Sequence, residues 1–348
     1  MTAMHGRDIV VVAASAGGLE PLRKLLAALP ADLPASVLVV LHIPATGGRT
    51  LPRILDRAGI LPAAAAVDGE PLQSGRVYVA PPDLHLLVID GLVRTSRGPK
   101  QNGVRPSADP LFRSAALYGG PRTIGVVLSG TLDDAALGAA TVEQRGGCVV
   151  VQDPHDAAYG SMPRCALATT QHPAIRPAGK IGGLLTRLAR EEVEVPLGEP
   201  PADLEAEIRD LLTSDPQIAP VPRDYSGFTC PECGGPLYHA REDAADSYDC
   251  LVGHRWSPES LLEEQTSTVE RAMWLAIRSL DERHRLTERL AESARNRGHP
   301  ISAARFRAAS EEAALAADVI RSATGKLTPV TEEPVADQLT AGETGTGG

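Results

Sequence analysis

Aromatic residues are scarce in this 348-residue chain: two Trp, six Tyr and three Phe make up 3% of it. A core must therefore be built from Ala, Leu, Val and Ile. Long apolar runs are missing as well. No stretch nears the roughly 20 residues of a bilayer span, and the opening MTAMHGRDIV has no apolar region of the kind that marks a secretory signal. The expectation is a cytoplasmic protein with no membrane insertion. Cysteine is limited to five residues, with Cys148 and Cys165 isolated and Cys230, Cys233 and Cys250 clustered. That is a poor disulfide framework and fits a reducing compartment.

What is present is ordinary for a globular protein, with 43% hydrophobic and 22% charged residues, which excludes a disordered chain. The length favours two domains. The net charge of −10 is divided unevenly: residues 1–190 carry +5 and residues 191–348 carry −15. An acidic second half argues against nucleic acid as a partner, while the mildly basic first half is open to an acidic one. Arg49, Arg53 and Arg57 at helical spacing, with Arg105 on another loop, are candidates to steer an acidic helix. The acidic C-terminal half would then compete for the same surface.

Short β-branched runs at 9–12, 37–41, 77–80, 86–89, 123–128 and 148–151 read as strands, each bounded by Gly, Pro or polar residues. Helical patterns at 19–29, 50–58, 110–117, 134–145, 162–168 and 179–190 alternate with them. The alternation predicts an α/β domain over 1–192, doubly wound around a mostly parallel sheet, with a hairpin within 77–95 added to it. An acidic, proline-rich linker with one short amphipathic helix follows over 193–225. A cysteine-bearing module is expected over 226–257, an α-helical hairpin over 258–325 and a disordered tail over 326–348.

In IVVVAASAGGLEPL the strand-to-helix turn is made of small residues, and Ser15 is its one side chain with chemistry. Three roles are open at this point: a helix cap, part of a phosphate-binding turn, or a nucleophile on a tight elbow. Functional residues of open parallel sheets gather beyond the carboxyl ends of the strands, and two more reactive residues lie at such ends. His42 closes the second strand in VLVVLHIPATGG, and Asp133 or Asp134 follows a later one in IGVVLSGTLDDAALG. Singly, His42 reads as a partly buried histidine and either aspartate as a helix cap. Together with Ser15 they form the set for a proton relay. A dinucleotide fold would want an acidic residue where the second strand ends in His42.

The segments AASAGGLEPL, VLHIPATGG, GRVYVAPPDLHLLV, RPSADPLFRSAA, IGVVLSGTLDDAALGA and VVVQDPHDAAYGSMPRCAL occur in the order and spacing of one known family. Over residues 8–190 the chain resembles the catalytic domain of the CheB chemotaxis protein-glutamate methylesterases. The resemblance implies hydrolysis of glutamyl γ-methyl esters on methyl-accepting chemoreceptors, and deamidation of receptor glutamines. It also implies Ser15 as nucleophile, His42 as general base and acid, and Asp134 as the orienting carboxylate, without a cofactor. Ala16 stands where the family usually has threonine. Its GMGxDG loop reads GTLDDA here, with Thr131, Leu132 and Ala135 at departing positions. Loss of glycine should alter the loop wherever a positive φ is needed. The rival to an enzyme is therefore a non-catalytic signalling or binding module that keeps the fold. No receiver domain is expected ahead of Ile9, and the resemblance then implies a chain either unregulated by phosphorylation of such a domain or controlled by other means.

In FTCPECGGPLYHAREDAADSYDCLVGHRW, Cys230 and Cys233 form a CxxC, and Cys250 and His254 a CxxxH. Two close ligand pairs separated by a hairpin suit a tetrahedral zinc site of the ribbon kind. Four protein ligands leave no open position, so the zinc is expected to be structural. A redox CxxC would want a βαβ context that is absent. His239 is a spare ligand candidate. The acidic REDAAD turn and the long charged helices beyond it read as an interaction module for a helical partner.

Overall fold

The computed structural model describes residues 2–42, 50–196, 202–212, 224–240 and 246–325. They fall into two compact units, divided between Ser260 and Leu261. The first contains, in chain order, β1 (Thr2–Gly6), β2 (Ile9–Ala14), α1 (Leu19–Ala27), β3 (Ser36–Leu41), α2 (Leu51–Asp56), β4 (Ala63–Ala65), β5 (Val77–Val79), β6 (His85–Ile89), β7 (Leu92–Ser96) and α3 (Ala108–Gly119). It continues with β8 (Thr123–Val127), α4 (Ala136–Gln144), β9 (Cys148–Gln152), α5 (Ser161–Thr169), β10 (Ala174–Arg176), α6 (Ala178–Leu188), β11 (Glu192–Pro196) and α7 (Ala202–Leu212). The short strands β12 (Tyr225–Thr229), β13 (Pro236–Ala240), β14 (Ser247–Cys250) and β15 (Arg255–Trp256) close it. Helix α8 (Pro258–Asn296) starts at its edge and, with α9 (Pro300–Thr324), makes the second unit.

Seven strands form one sheet in the order β10-β9-β8-β2-β3-β5-β4, and every pairing in it is parallel. Parallel strands buried on both faces need nearly continuous apolar runs, which IVVVAA and SVLVVL supply. Along β2 the side chains alternate. Val10, Val12 and Ala14 join one core with residues of α1, α2 and α6, while Ile9, Val11 and Ala13 join another with residues of α3, α4 and α5. The chain leaves β2 into α1 on one face and leaves β8 into α4 on the other. Between these neighbouring strands it opens the crevice in which α/β proteins place their sites.

The structure departs from the expected arrangement in four places. The hairpin of β6 and β7 is a separate two-stranded sheet, while β5 lies inside the main sheet. The edge strands β4, three alanines, and β10, three residues with Ile175 as their one β-branched side chain, lacked a β-branched run. The opening strand β1 pairs antiparallel with β11, which lies in the acidic, proline-rich segment. The amphipathic helix of that segment, α7, also packs on the fold, burying Ile208 and Leu211 against Leu87, Ile89 and Leu117. Residues 197–201 and 213–223 of the expected linker, and the tail expected over 326–348, lie outside the described residues.

The second unit is a helical hairpin turning at Arg297 and Gly298, where the His299 N–H donates to the Ala294 carbonyl at 2.9 Å. Ile277, Ala291 and Ala294 are buried on α8, and Ala303, Ala313 and Ala317 on α9. Between the helices the Ser310 hydroxyl lies 2.8 Å from His284 Nδ1, and Arg321 pairs with Asp281 at 2.6 Å. Among the described residues no helix is long and apolar enough to cross a membrane.

Candidate active site

Ser15 follows β2, His42 follows β3 and Asp134 lies in the loop after β8, so three neighbouring strand ends bring the three side chains together. Ser15 Oγ is 3.1 Å from His42 Nδ1, and His42 Nε2 is 2.6 Å from Asp134 Oδ2. With Nε2 carrying the proton donated to Asp134, Nδ1 is left bare to accept the proton of Ser15. The capping role open for Ser15 is not what the structure has. Helix α1 is capped by Gly18 without a side-chain bond, and Ser15 contributes only its carbonyl, which accepts the Gly18 N–H at 2.9 Å.

Asp134 likewise does not cap its own helix. Instead it accepts the Ser107 hydroxyl at 2.7 Å and the N–H groups of Ala108 at 2.6 Å and Asp109 at 3.2 Å, at the start of α3. A helix N-terminus favours a carboxylate. Full burial would raise the Asp134 pKa, but the His42 contact and the Ala108 and Ser107 donors outweigh it and hold the group at about 2. Ser107 is fixed in turn by His85, a buried ring whose Nε2–H donates to the Pro99 carbonyl at 3.0 Å and whose Nδ1 accepts the Ser107 N–H at 3.3 Å. Burial holds His85 down at about 4, so it is neutral at pH 7. Neighbouring Asp109 is pushed well up by burial and by the charge of Asp134.

Asp133 points elsewhere. Its carboxylate accepts the Ser260 hydroxyl at 2.7 Å and is also bonded by Ser257, both at the start of α8. Burial raises it to about 6. The two aspartates therefore couple to pH in opposite senses. Asp134 contributes stability that is complete above its ordinary 3.8 and is lost as pH falls towards 2. For Asp133 the favourable state is the protonated one below 3.8, and stability is lost as pH rises through about 6.

The glycine-poor loop keeps the backbone that glycines would have given it. Leu132 has φ 60° and Ala135 φ 75°, a conformation that costs an L-residue roughly 1–2 kcal/mol. Leu132 belongs to none of the buried apolar clusters, so Leu132→Gly should relieve more strain than the roughly 0.4–1 kcal/mol it adds in unfolded-state entropy. The expected result is a rise in the urea midpoint at unchanged slope; a lower midpoint would show that the loop is not strained there. Gly130 is required for another reason. A Cβ on it would meet Ser15 Cβ at 2.9 Å and Met162 Sδ at 2.7 Å.

Two peptides beside Ser15 are fixed by their carbonyls. Ser15 O accepts from Gly18, and Ala16 O accepts the Ser129 hydroxyl at 2.9 Å. In trans peptides this turns the N–H groups of Ala16 and Gly17 the other way. Among the described residues neither of these N–H groups has a bonded acceptor.

The arginines do not all remain candidates for steering. Arg105 is committed to the fold, pairing with Asp83 at 2.7 Å and donating to the Arg97 and Gly98 carbonyls. Arg53 and Arg57 are exposed, and Arg49 lies outside the described residues.

Cys230, Cys233, Cys250 and His254 converge, with all four ligand atoms within 4.8 Å of one another, as a group able to hold a metal ion. Each pair sits on a tight turn, closed by the Gly234 N–H to the Cys230 carbonyl and by the Gly253 N–H to the Cys250 carbonyl. His239 is not part of the group; it is exposed on β13 with its ring against Tyr248.

Residues 10–185 match the family model described as CheB methylesterase. A protein from Caulobacter vibrioides named protein-glutamate methylesterase/protein-glutamine glutaminase 2 is 38% identical over 188 residues, which are 53% of this chain and 54% of that one. A relative named protein-glutamate methylesterase/protein-glutamine glutaminase 3 from Anaeromyxobacter dehalogenans is 45% identical over 162 residues, 46% of this chain and 47% of its own. The chain thus spans about half the length of these curated relatives. The crystal structure of the Thermotoga maritima CheB methylesterase catalytic domain superposes with a TM-score of 0.50 at 34% identity, over 52% of this chain and 98% of that one. With half of its length matched by the family model and a doubly wound fold like that of the solved domain, the chain belongs to the CheB methylesterase family.

Proposed function

We propose that the protein is a serine hydrolase of the protein-glutamate methylesterase type, acting on glutamyl γ-methyl esters of chemoreceptor-like proteins. Ser15 Oγ attacks the ester carbonyl while His42 Nδ1 takes its proton. Asp134 orients the ring and stabilises the imidazolium that forms. The N–H groups of Ala16 and Gly17, beside the nucleophile and without a bonded acceptor among the described residues, are the donors suited to the developing oxyanion. His42 returns the proton to the leaving methoxide, methanol departs, and water attacks the γ-glutamyl ester of Ser15 by the same relay. A glutamine side chain would follow the same path with ammonia leaving, in keeping with the glutaminase in the relatives' names.

The observation that carries this reading is the unbroken hydrogen-bond chain from Ser15 through His42 to an Asp134 held by the start of α3. It favours turnover over a binding module that merely retains the fold. A serine-directed fluorophosphonate should label the full chain at Ser15, and a γ-methyl glutamyl peptide should release methanol. Labelling elsewhere, or none together with no methanol, would leave the non-catalytic module as the better reading.

The metal group fits zinc in a structural role. Ligands about 2.3 Å from a tetrahedral zinc lie about 3.7 Å from one another. Cys233 Sγ and Cys250 Sγ are 3.7 Å apart, and His254 Nδ1 is 3.7 Å from Cys230 Sγ and 3.5 Å from Cys250 Sγ. Bound there, zinc would supply folding energy and no catalytic chemistry, because the four ligands close its shell.

A further inference from the structure

The β12–β15 module does not stand apart from the α/β fold. Its last strand runs along residues 100–104: the Asn102 N–H donates to the Arg255 carbonyl at 2.8 Å, and the Ser257 N–H donates to Asn102 Oδ1 at 2.9 Å. Trp256 is 1% exposed and covers Gly103, where a Cβ would come within 3.1 Å of the indole. Arg255 pairs with Asp249 and with Glu207 of α7, and Glu207 also pairs with the buried Arg113 of α3.

Two lines of contact run from this junction to the catalytic aspartate. Through Asn102, whose amide donates to Asp109 at 3.3 Å, the junction touches the residue whose own N–H holds Asp134. Through Ser260 and Ser257 it holds Asp133, the neighbour of Asp134 in the chain. Asp133 and Asp134 lie between the two positive-φ residues Leu132 and Ala135. A backbone in that state persists only where its surroundings over-determine it.

We propose that Ser257 and Ser260 are positioning residues for the hydrolysis: by clamping Asp133 they hold the strained 131–135 loop so that Asp134 meets His42. The proposal rests on the serine-hydrolase reading of the site. It makes the C-terminal module a working part of the active centre, in place of the competitor for an acidic substrate that the charge division suggests. A displacement of about 1 Å in a catalytic group can cost on the order of a hundredfold in rate. Loss of one clamp on a loop that keeps its other contacts should therefore cost about tenfold.

The test uses the full metal-loaded chain carrying Ser257→Ala and Ser260→Ala together. The expected result is a kcat for a γ-methyl glutamyl ester about tenfold lower, with KM within twofold of wild type. Amide exchange should be faster in a peptide covering 129–137 and unchanged in β2 and β3. Ser260→Thr, which keeps the hydroxyl, should retain kcat. Native Trp256 fluorescence in the double variant will establish that the module is still docked. Unchanged kcat with unchanged exchange overturns the proposal, and so does a rise in KM alone. A wild-type chain that neither turns over ester nor reacts at Ser15 defeats the hydrolase reading. The exchange data then decide by themselves whether the serines hold the loop.

Discussion

Ser15→Ala is expected to lower kcat for glutamyl methyl ester hydrolysis by about 10⁴-fold or more, the scale on which relay enzymes lose activity with their nucleophile. The fold should be unaffected. Ser15 is partly exposed and forms no helix cap, and the fixed part of its turn is backbone, with its N–H on the Ser129 carbonyl at 3.0 Å and its carbonyl accepting from Gly18. Alanine preserves both bonds and removes only the hydroxyl facing His42. His42→Ala should fall nearly as far, because members of a relay act as a unit. Asp134→Asn should follow. It keeps a side chain of the same size but loses the charge that orients the ring, and it turns an acceptor into a donor against the Ala108 or Ser107 donors. Asp133→Asn should cost far less, since Asp133 touches Ser257 and Ser260 and not His42. Methanol release by the four purified variants gives the order directly, and a larger loss at Asp133 than at Asp134 would mean that the wrong carboxylate faces His42.

The sequence pointed to three strand ends because β-branched runs announce parallel strands, and chemistry on such sheets collects at one edge. Choosing between Asp133 and Asp134 was beyond any local pattern. The partners that separate them, Ser107 and Ala108 for one and Ser260 for the other, lie more than 20 residues away in opposite directions along the chain. The reading of GTLDDA expected glycine loss to alter the loop wherever a positive φ is needed. It missed that Leu132 and Ala135 adopt it all the same, because nothing in a single sequence shows what holds a strained backbone in place. Strands β4 and β10 went unread because β4 is three alanines and the three residues of β10 hold a single β-branched side chain, Ile175. The docking of β15 escaped because its signal is a space left by Gly103 for an indole about 150 residues further on.

Stripping the metal should have the second large effect, and it should reach further than the cysteine pattern alone implies. Metal analysis of the purified chain is expected to find about one zinc per chain. Removal by a strong chelator should unfold β12–β15, because this module buries little apolar surface of its own beyond Leu237 and Trp256. Structural zinc sites of this kind contribute on the order of 10 kcal/mol to folding. From spacing alone, the α/β domain would be indifferent to that loss, as no ligand precedes Cys230. The contacts predict otherwise. Once β15 melts, the Asn102 and Gly103 backbone loses Arg255 and Trp256, and Ser257 and Ser260 are released from Asp133. Hydrogen exchange should therefore speed up in residues 224–240 and 246–260, and also in 100–109 and 129–137, while β2, β3 and β8 remain protected. Ester hydrolysis should fall about as far as in the Ser257→Ala, Ser260→Ala double variant, about tenfold. The loss should not reach that of Ser15→Ala, since Asp134 would keep its bonds to Ser107 and Ala108. Zinc-free protein with β12–β15 still protected would remove the metal from the account. Melting of β12–β15 with undisturbed exchange at 129–137 and full turnover would show that the two parts are energetically separate.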